Sequence, residues 1–240
     1  MTRLSIVIPA RNEAGNIVAL VDAIDVALTP LSPFEIIVVD DGSTDASVAV
    51  LTGRALSMPH LRVIRHDHSG GQSAAVHTGV LAANSAIIAT LDGDGQNPPE
   101  ELPKLLAPLL ADTTGRIGLV AGQRVGRKDT WSKRTASKLA NKLRVWLLRD
   151  GTRDTGCGLK AFRREAFLAL PYFNHMHRYL PALFVRDGWQ IVHVDVTHRP
   201  RGEGRSNYSN LQRAIVGVPD LLGVLWLSRR RKTARPLNLE

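Results

Sequence analysis

A chain of 240 residues, 44% hydrophobic and 22% charged, is long enough for one substantial core and could hold two small domains, but no linker-like stretch divides it, so one domain with a C-terminal appendix is expected. The formal charge of +9 conceals an asymmetry: residues 1–122 carry 7 Lys+Arg against 13 Asp+Glu, net −6, whereas residues 123–240 carry 24 against 9, net +15. The basic half has to meet an anion, and nucleic acid, a membrane surface and a phosphorylated substrate all qualify.

The chain opens on LSIVI (4–8), the first of several short β-branched runs. The apolar N-terminal stretch is only about half a dozen residues, below the ~18 of a spanning helix and without a small-residue cleavage site, so no export signal is expected. FEIIVV (34–39), LRVIRH (61–66), SAIIATL (85–91) and IGLVAG (117–122) continue the series and read as buried parallel strands. Helical stretches separate them: EAGNIVALVDAIDVAL, TDASVAVLTGRAL, GQSAAVHTGVLAA and PPEELPKLLAPLL, the last opened by Pro98-Pro99. Such alternation predicts an open α/β sheet with right-handed crossovers, whose ligands bind beyond the carboxyl ends of the strands.

The second half is less regular. WSKRTASKLANKLRVWLL (131–148) has helical spacing, RDTGCGLKAFRRE (153–165) is compact, RYLPALFVRDG (178–188) is helix-like, QIVHVDVTHR (190–199) reads as a strand, and PRGEGRSNY (200–208) is a basic loop. The lone Cys157 cannot form an internal disulfide, which suggests a reducing compartment, and it reads as a packing residue. AIVGVPDLLGVLWL (214–227) is too short to span a bilayer, is interrupted by Pro219-Asp220, and is flanked by Arg213 and Arg229-Arg230-Arg231-Lys232. It reads as a membrane-surface segment, with a packing helix or oligomer contact as the competing reading. The expected organisation is a catalytic domain over 1–210 and a C-terminal segment over 211–240.

Each predicted strand of the first half ends in a polar cluster: PARNE, DDGSTD, DHSGG and DGDGQ. The last holds the sharpest question, because Asp92 and Asp94 stand one residue apart on a turn that Gly93 and Gly95 allow to bend. Closely placed carboxylates repel unless a cation sits between them, and a divalent ion with oxygen ligands, including Gln96, is the natural occupant. A helix-loop-helix calcium loop fails, since its glycine position is Asn97 and its twelfth position is Pro103. A plain solvated turn is the remaining rival.

IVIPARNE, VVDDGSTD, GGQSAAVHTG, ATLDGDGQNPPEELPKLL, VAGQRVGRKD, DTGCGLKAFRRE and HRPRGEGRSNY, in that order, resemble the family 2 glycosyltransferases, and within them the branch that makes polyprenyl-phosphate sugars, the dolichyl-phosphate mannose synthase-like enzymes. The resemblance covers about residues 4–210. It implies a GT-A type nucleotide-diphosphosugar transferase fold, an open, mostly parallel sheet flanked by helices. It also implies an inverting, metal-dependent transfer of sugar from a UDP- or GDP-sugar to a polyprenyl phosphate, with Mg2+ or Mn2+ as cofactor. By position, Pro9, Ala10, Arg11, Glu13 and Asp41 would face the nucleotide, with Gly71, Gln72 and Gly93 also lining the donor site. Asp92, Asp94 and Gln96 match the metal-binding D-x-D-x-Q. Arg124 matches an arginine near the phosphates, and Arg199, Arg201 and Ser206 match the loop R-x-R-x-x-G-x-S. Asn207 departs from the lysine frequent in relatives, leaving one fewer cation there.

Asp154 is the obvious base for a hydroxyl acceptor, but for a phosphate acceptor it reads as a positioning residue. His77, His175, His177 and His193 lie on different elements without metal spacing and read as structural, although His177-Arg178 could touch an acceptor phosphate. The alternatives weighed are a hydroxyl acceptor on a glycan or lipid, a catalytically silent relative, and a nucleic-acid binder; the last lacks a stacking platform and a binding motif. The protein is expected in the cytoplasm, peripheral at the inner face of a membrane, with a homo-oligomer left open. Donor base, sugar, polyprenol and metal are not distinguished by the residues.

Overall fold

The computed structural model describes residues 4–125, 144, 147–199 and 210–230. Seven strands form one sheet: β1 (Leu4–Ala10), β2 (Phe34–Asp40), β3 (Leu61–Arg65), β4 (Ile87–Thr90), β5 (Ile117–Arg124), β6 (Lys160–Arg163) and β7 (Gln190–Val196), in the spatial order β3-β2-β1-β4-β6-β5-β7. The helices are α1 (Ile17–Leu28), α2 (Ser47–Ala55), α3 (Gln72–Ala82), α4 (Leu102–Leu110), α5 (Arg164–Leu168), α6 (Leu180–Arg186) and α7 (Asn210–Ser228).

Strand alternation divides the core into two layers. Leu4, Ile6 and Ile8 of β1 and Phe34, Ile36 and Val38 of β2 pack with Leu20 and Ile24 of α1 and Leu102, Leu105 and Leu106 of α4. Val7, Ile37 and Val39 face the other way, toward Val76 and Val80 of α3 and, further along the sheet, Leu183 and Phe184 of α6. Burying one such side chain contributes about 1.5–3 kcal/mol. The central strands, buried on both faces, therefore anchor everything that projects from their ends.

β1 to β4 pair in parallel, as their apolar runs predict. β5 does not lie beside β4, because β6 is wedged between them and runs antiparallel to both. KAFR, four residues beginning with lysine, shows neither period nor apolar run, which is why 153–165 reads only as a compact piece. The reversal matters for the site. It lays the start of β6, with Gly158 and Lys160, against the carboxyl end of β4, with Asp92, and Thr90 Oγ1 donates to Gly158 O at 3.0 Å.

The sequence 178–188 forms α6, and 190–199 forms β7 with its loop. Arg144, Leu147 and Leu148 are all that is described of the predicted helix 131–148, and the loop 200–208 and residues 231–240 lie outside the described residues. α7 runs through Pro219 without a break and packs on α6: Tyr179 Oη donates to Gly217 O at 3.0 Å and Arg186 Nε to Leu227 O at 3.0 Å, while Val224 is 1% exposed.

Candidate active site at the carboxyl ends of the strands

The loops after β1 and β2 are stitched together. Asn12 N donates to Ser43 Oγ at 2.8 Å, and Thr44 N to Asn12 Oδ1 at 2.8 Å. Asp40 accepts from Ser43 N at 3.1 Å inside the DDGS turn, the orienting role its position suggests. Asp41 holds the next loop: it accepts from Ser69 Oγ at 2.6 Å and from Gly70 N and Gly71 N, each at 2.9 Å, and its Oδ1 lies 2.8 Å from His66 Nδ1. Burial alone would raise the Asp41 pKa, but Ser69, His66 and the two backbone donors outweigh it and the net shift is downward. Its carboxylate thus shapes the entrance to α3, while Arg11, just beyond the end of β1, is exposed. Glu13 Oε2 accepts from Asn16 Nδ2 at 2.8 Å at the start of α1.

The acidic corner follows β4. Gly93 lies so close to β1 that a methyl group there would meet Ala10 Cβ and Pro9 O at 3.1 Å. Gln72, first residue of α3, donates from Nε2 to Asp92 Oδ1 at 2.7 Å. Gly158 closes the other side: a methyl group there would come to 2.7 Å from Asp92 Oδ1 and nearer still to Oδ2, so the carboxylate would have to move. Burial, with Asp94 beside it, pushes the Asp92 carboxyl above the usual range, and Lys160, Asn97 and Arg124 offset this only in part. Asp94 Oδ1 accepts from Gln96 N at 3.1 Å, and Gln96 O accepts from Arg199 N at 3.0 Å.

Arg124 and Asp154 meet as a two-pronged pair, Nε to Oδ2 at 2.5 Å and Nη2 to Oδ1 at 2.9 Å. Gln123 fixes the backbone beneath, its Oε1 accepting from Arg153 N at 2.9 Å and Asp154 N at 3.0 Å. The Arg199 guanidinium pairs with Glu100. Arg201 and Ser206 lie outside the described residues.

Beside Asp92 opens a cavity of about 310 Å3, walled by Gln72, Asp92, Gly158, Lys160, His177 and Arg178 among others. Lys160 and Gly158 were not singled out by sequence reasoning as site residues, and His177-Arg178 only as a contact for an acceptor phosphate. The signal for Lys160 was its place in DTGCGLK; a lysine starting a strand, 5% exposed, has to be spent on something. It donates to the carbonyls of Thr155 and Cys157, and burial depresses its pKa against the pull of Cys157, Asp92 and Asp154. The other histidines stay structural. His77 packs on Tyr172 at 4.9 Å between ring centres, His193 Nε2 lies 3.0 Å from Thr152 Oγ1, and His175 pairs with Asp220 at 3.3 Å.

Among the described residues no group of three or more His, Cys, Asp or Glu forms a metal cage. The donors present are two carboxylates and an amide, all oxygen, with a repulsion at Asp92 that a cation would relieve. That set fits a hard divalent ion holding only part of its shell from the protein and the rest from substrate phosphates.

A family model for glycosyl transferase family 2 matches residues 5–170. The undecaprenyl-phosphate 4-deoxy-4-formamido-L-arabinose transferase of Yersinia pestis (strain Pestoides F) is 34% identical over 241 residues, covering 99% of this chain and 69% of the relative. The enzyme of the same name from Aeromonas hydrophila is 31% identical, over 98% of this chain and 69% of its own. Among solved structures, glucosyl-3-phosphoglycerate synthase from Mycobacterium tuberculosis, in complex with Mg2+ and uridine diphosphate, superimposes with a TM-score of 0.70 at 22% identity, over 97% of this chain and 81% of that one. That likeness bears on the fold, which is of the GT-A type. The chain is a glycosyltransferase and belongs to glycosyl transferase family 2.

Proposed function

We propose that the chain transfers a sugar, with inversion and dependence on a divalent cation, from a UDP- or GDP-sugar to a polyprenyl phosphate. The observation that carries the choice of acceptor is the Arg124–Asp154 pair. A carboxylate gripped through both oxygens by a guanidinium is a poor base for a hydroxyl. A lipid phosphate requires none, since its second pKa near ~6 leaves it ionised at neutral pH. The undecaprenyl-phosphate transferases among the relatives support this acceptor class, and the uridine diphosphate bound by the structural neighbour is in keeping with the donor class.

In this reading Pro9, Ala10, Arg11 and Glu13, with the loop that Asp41 organises, hold the nucleotide, and Gly71, Gln72 and Gly93 let the donor approach. Asp92, Asp94 and Gln96 hold Mg2+ or Mn2+, which when bound stabilises the charge growing on the departing diphosphate. Arg124 and Arg199 face phosphate oxygens, Asp154 aims Arg124, and the resemblance assigns Arg201 and Ser206, outside the described residues, to the same task. An acceptor phosphate oxygen attacks the anomeric carbon from the side opposite the diphosphate. The new C–O bond forms as the old one breaks, and the nucleoside diphosphate leaves with the electron pair.

The acceptor brings a lipid, and α7 offers a surface for it. Val218, Leu222 and Trp226, four residues apart, are 59%, 59% and 58% exposed, and Arg229 and Arg230 follow them into solvent. Among the described residues no helix is long and apolar enough to cross a membrane. The stripe and the two arginines suit a helix lying in an anionic interface at the inner face of the membrane. Flotation with phosphatidylglycerol vesicles should fall on changing Trp226→Ser, and unchanged flotation argues for a protein contact instead.

The deciding assay is incubation of labelled nucleotide sugars with undecaprenyl or dolichyl phosphate and Mg2+ or Mn2+. An acid-labile lipid-linked sugar that disappears with chelator is expected. Transfer only to a hydroxyl acceptor, with no lipid-linked product from any common donor, contradicts the proposal.

A further inference from the structure

The cavity beside Asp92 has a wall that the donor and metal residues do not account for. The turn Met176–Arg178 stands there, joined to the start of α3 by Ser73, the neighbour of Gln72. His177 N donates to Ser73 Oγ at 3.3 Å, and the same oxygen lies 2.7 Å from His177 Nδ1. Ser73 is 1% exposed, so among the described residues its hydroxyl hydrogen has Nδ1 as its acceptor. The ring hydrogen is thereby left on Nε2, as a donor. Burial, reinforced by Lys160, Arg178 and His175, holds the imidazole pKa well below its ordinary value, so the ring is neutral. Arg178, whose side chain carries guanidinium donors, lines the same cavity. Lys160, by contrast, is turned to the carbonyls of Thr155 and Cys157.

A neutral N–H beside a fork of N–H groups selects oxygen acceptors. The cavity is at the lower end of the roughly 300–1,000 Å3 of small-molecule sites, room for one ring and not for a whole nucleotide. Asp92 is part of its lining, and in the nucleotide-sugar reading the sugar follows the diphosphate held there. We propose that His177 and Arg178 are the sugar-reading residues of this transferase, binding hydroxyl or acylamido oxygens of the transferred ring from the wall facing Asp92. This rests on the nucleotide-sugar reading of the site and assigns its specificity to a turn far in sequence from the acidic motif.

The test compares sugar and nucleotide in His177→Phe, Arg178→Gln and His177→Gln, the last retaining an N–H donor. Calorimetry with Mn2+ measures UDP and GDP against UDP-glucose, UDP-N-acetylglucosamine and GDP-mannose, and turnover of the preferred donor is followed at varied undecaprenyl phosphate. Affinity for the nucleotide sugar should fall about tenfold or more in His177→Phe and Arg178→Gln, as for a lost buried hydrogen bond, while nucleoside diphosphate affinity and the KM for undecaprenyl phosphate hold. His177→Gln should recover part of the loss. Equal loss for the bare nucleoside diphosphate, a rise confined to the acceptor KM, or no change in any constant overturns the assignment and leaves the transferase reading standing. A wild-type protein that binds neither nucleoside diphosphate overturns both.

Discussion

Two carboxylates, one buried and one half-buried, sit at opposite ends of the same sheet and are treated in opposite ways. Glu35, near the start of β2, is 4% exposed and accepts from Ser5 Oγ at 2.6 Å, Asn84 N at 2.7 Å and Arg62 Nη1 at 2.8 Å. Burial would raise its pKa, but Ser5, Asn84 and Arg62 more than offset that, and the carboxyl is held below its usual range. Asp92, past the end of β4, is pushed up by burial and by Asp94, and its partners do not cancel the push. Glu35 is a charge that the chain completes by itself. In the proposed function Asp92 is a charge left for a cation to complete, and the difference would then separate architecture from chemistry.

The contrast breaks most sharply at Asp94. Asp94→Asn should lower metal-dependent sugar transfer by about two to three orders of magnitude, the scale of losing one preorganised electrostatic group, with an unchanged circular dichroism spectrum. Retained turnover would place the cation elsewhere. Gly158→Ala comes next. Its methyl group displaces the Asp92 carboxylate, so transfer should fall up to about 100-fold, as for a misplacement near 1 Å, while the melting temperature moves little; full activity would show that the carboxylate has room to shift.

Glu35→Gln should do the reverse, lowering stability by about 1–3 kcal/mol at neutral pH and leaving activity per folded molecule unchanged. Because the folded pKa of Glu35 lies below its unfolded value near ~4.3, its contribution is full above that value and disappears as pH falls through the folded pKa. Denaturant titrations should therefore show the gap between wild type and variant closing in acid. A gap constant from pH 7 to 3 contradicts the assignment.

The same contrast marks how far the sequence could be read. The parallel strands were legible because each is a short β-branched run closed by turn residues, and the acidic corner because DGDGQ terminates one of them. β6 was not, since KAFR carries no periodicity and its lysine is buried only by the carbonyls of Thr155 and Cys157. The contacts of Asp41 with residues 66–71 were not legible either, since they join the ends of β2 and β3 across the fold. The His177 wall depends on Ser73, 104 residues earlier, a distance no local pattern reports.

Calorimetric titration of the wild-type protein with UDP and GDP, with and without Mn2+, tests most directly whether Asp92 and Asp94 await a cation that arrives with the donor. One nucleotide should bind only when Mn2+ is present, and Asp94→Asn should abolish the metal's effect. Binding of equal strength with and without the metal, in both proteins, would contradict it.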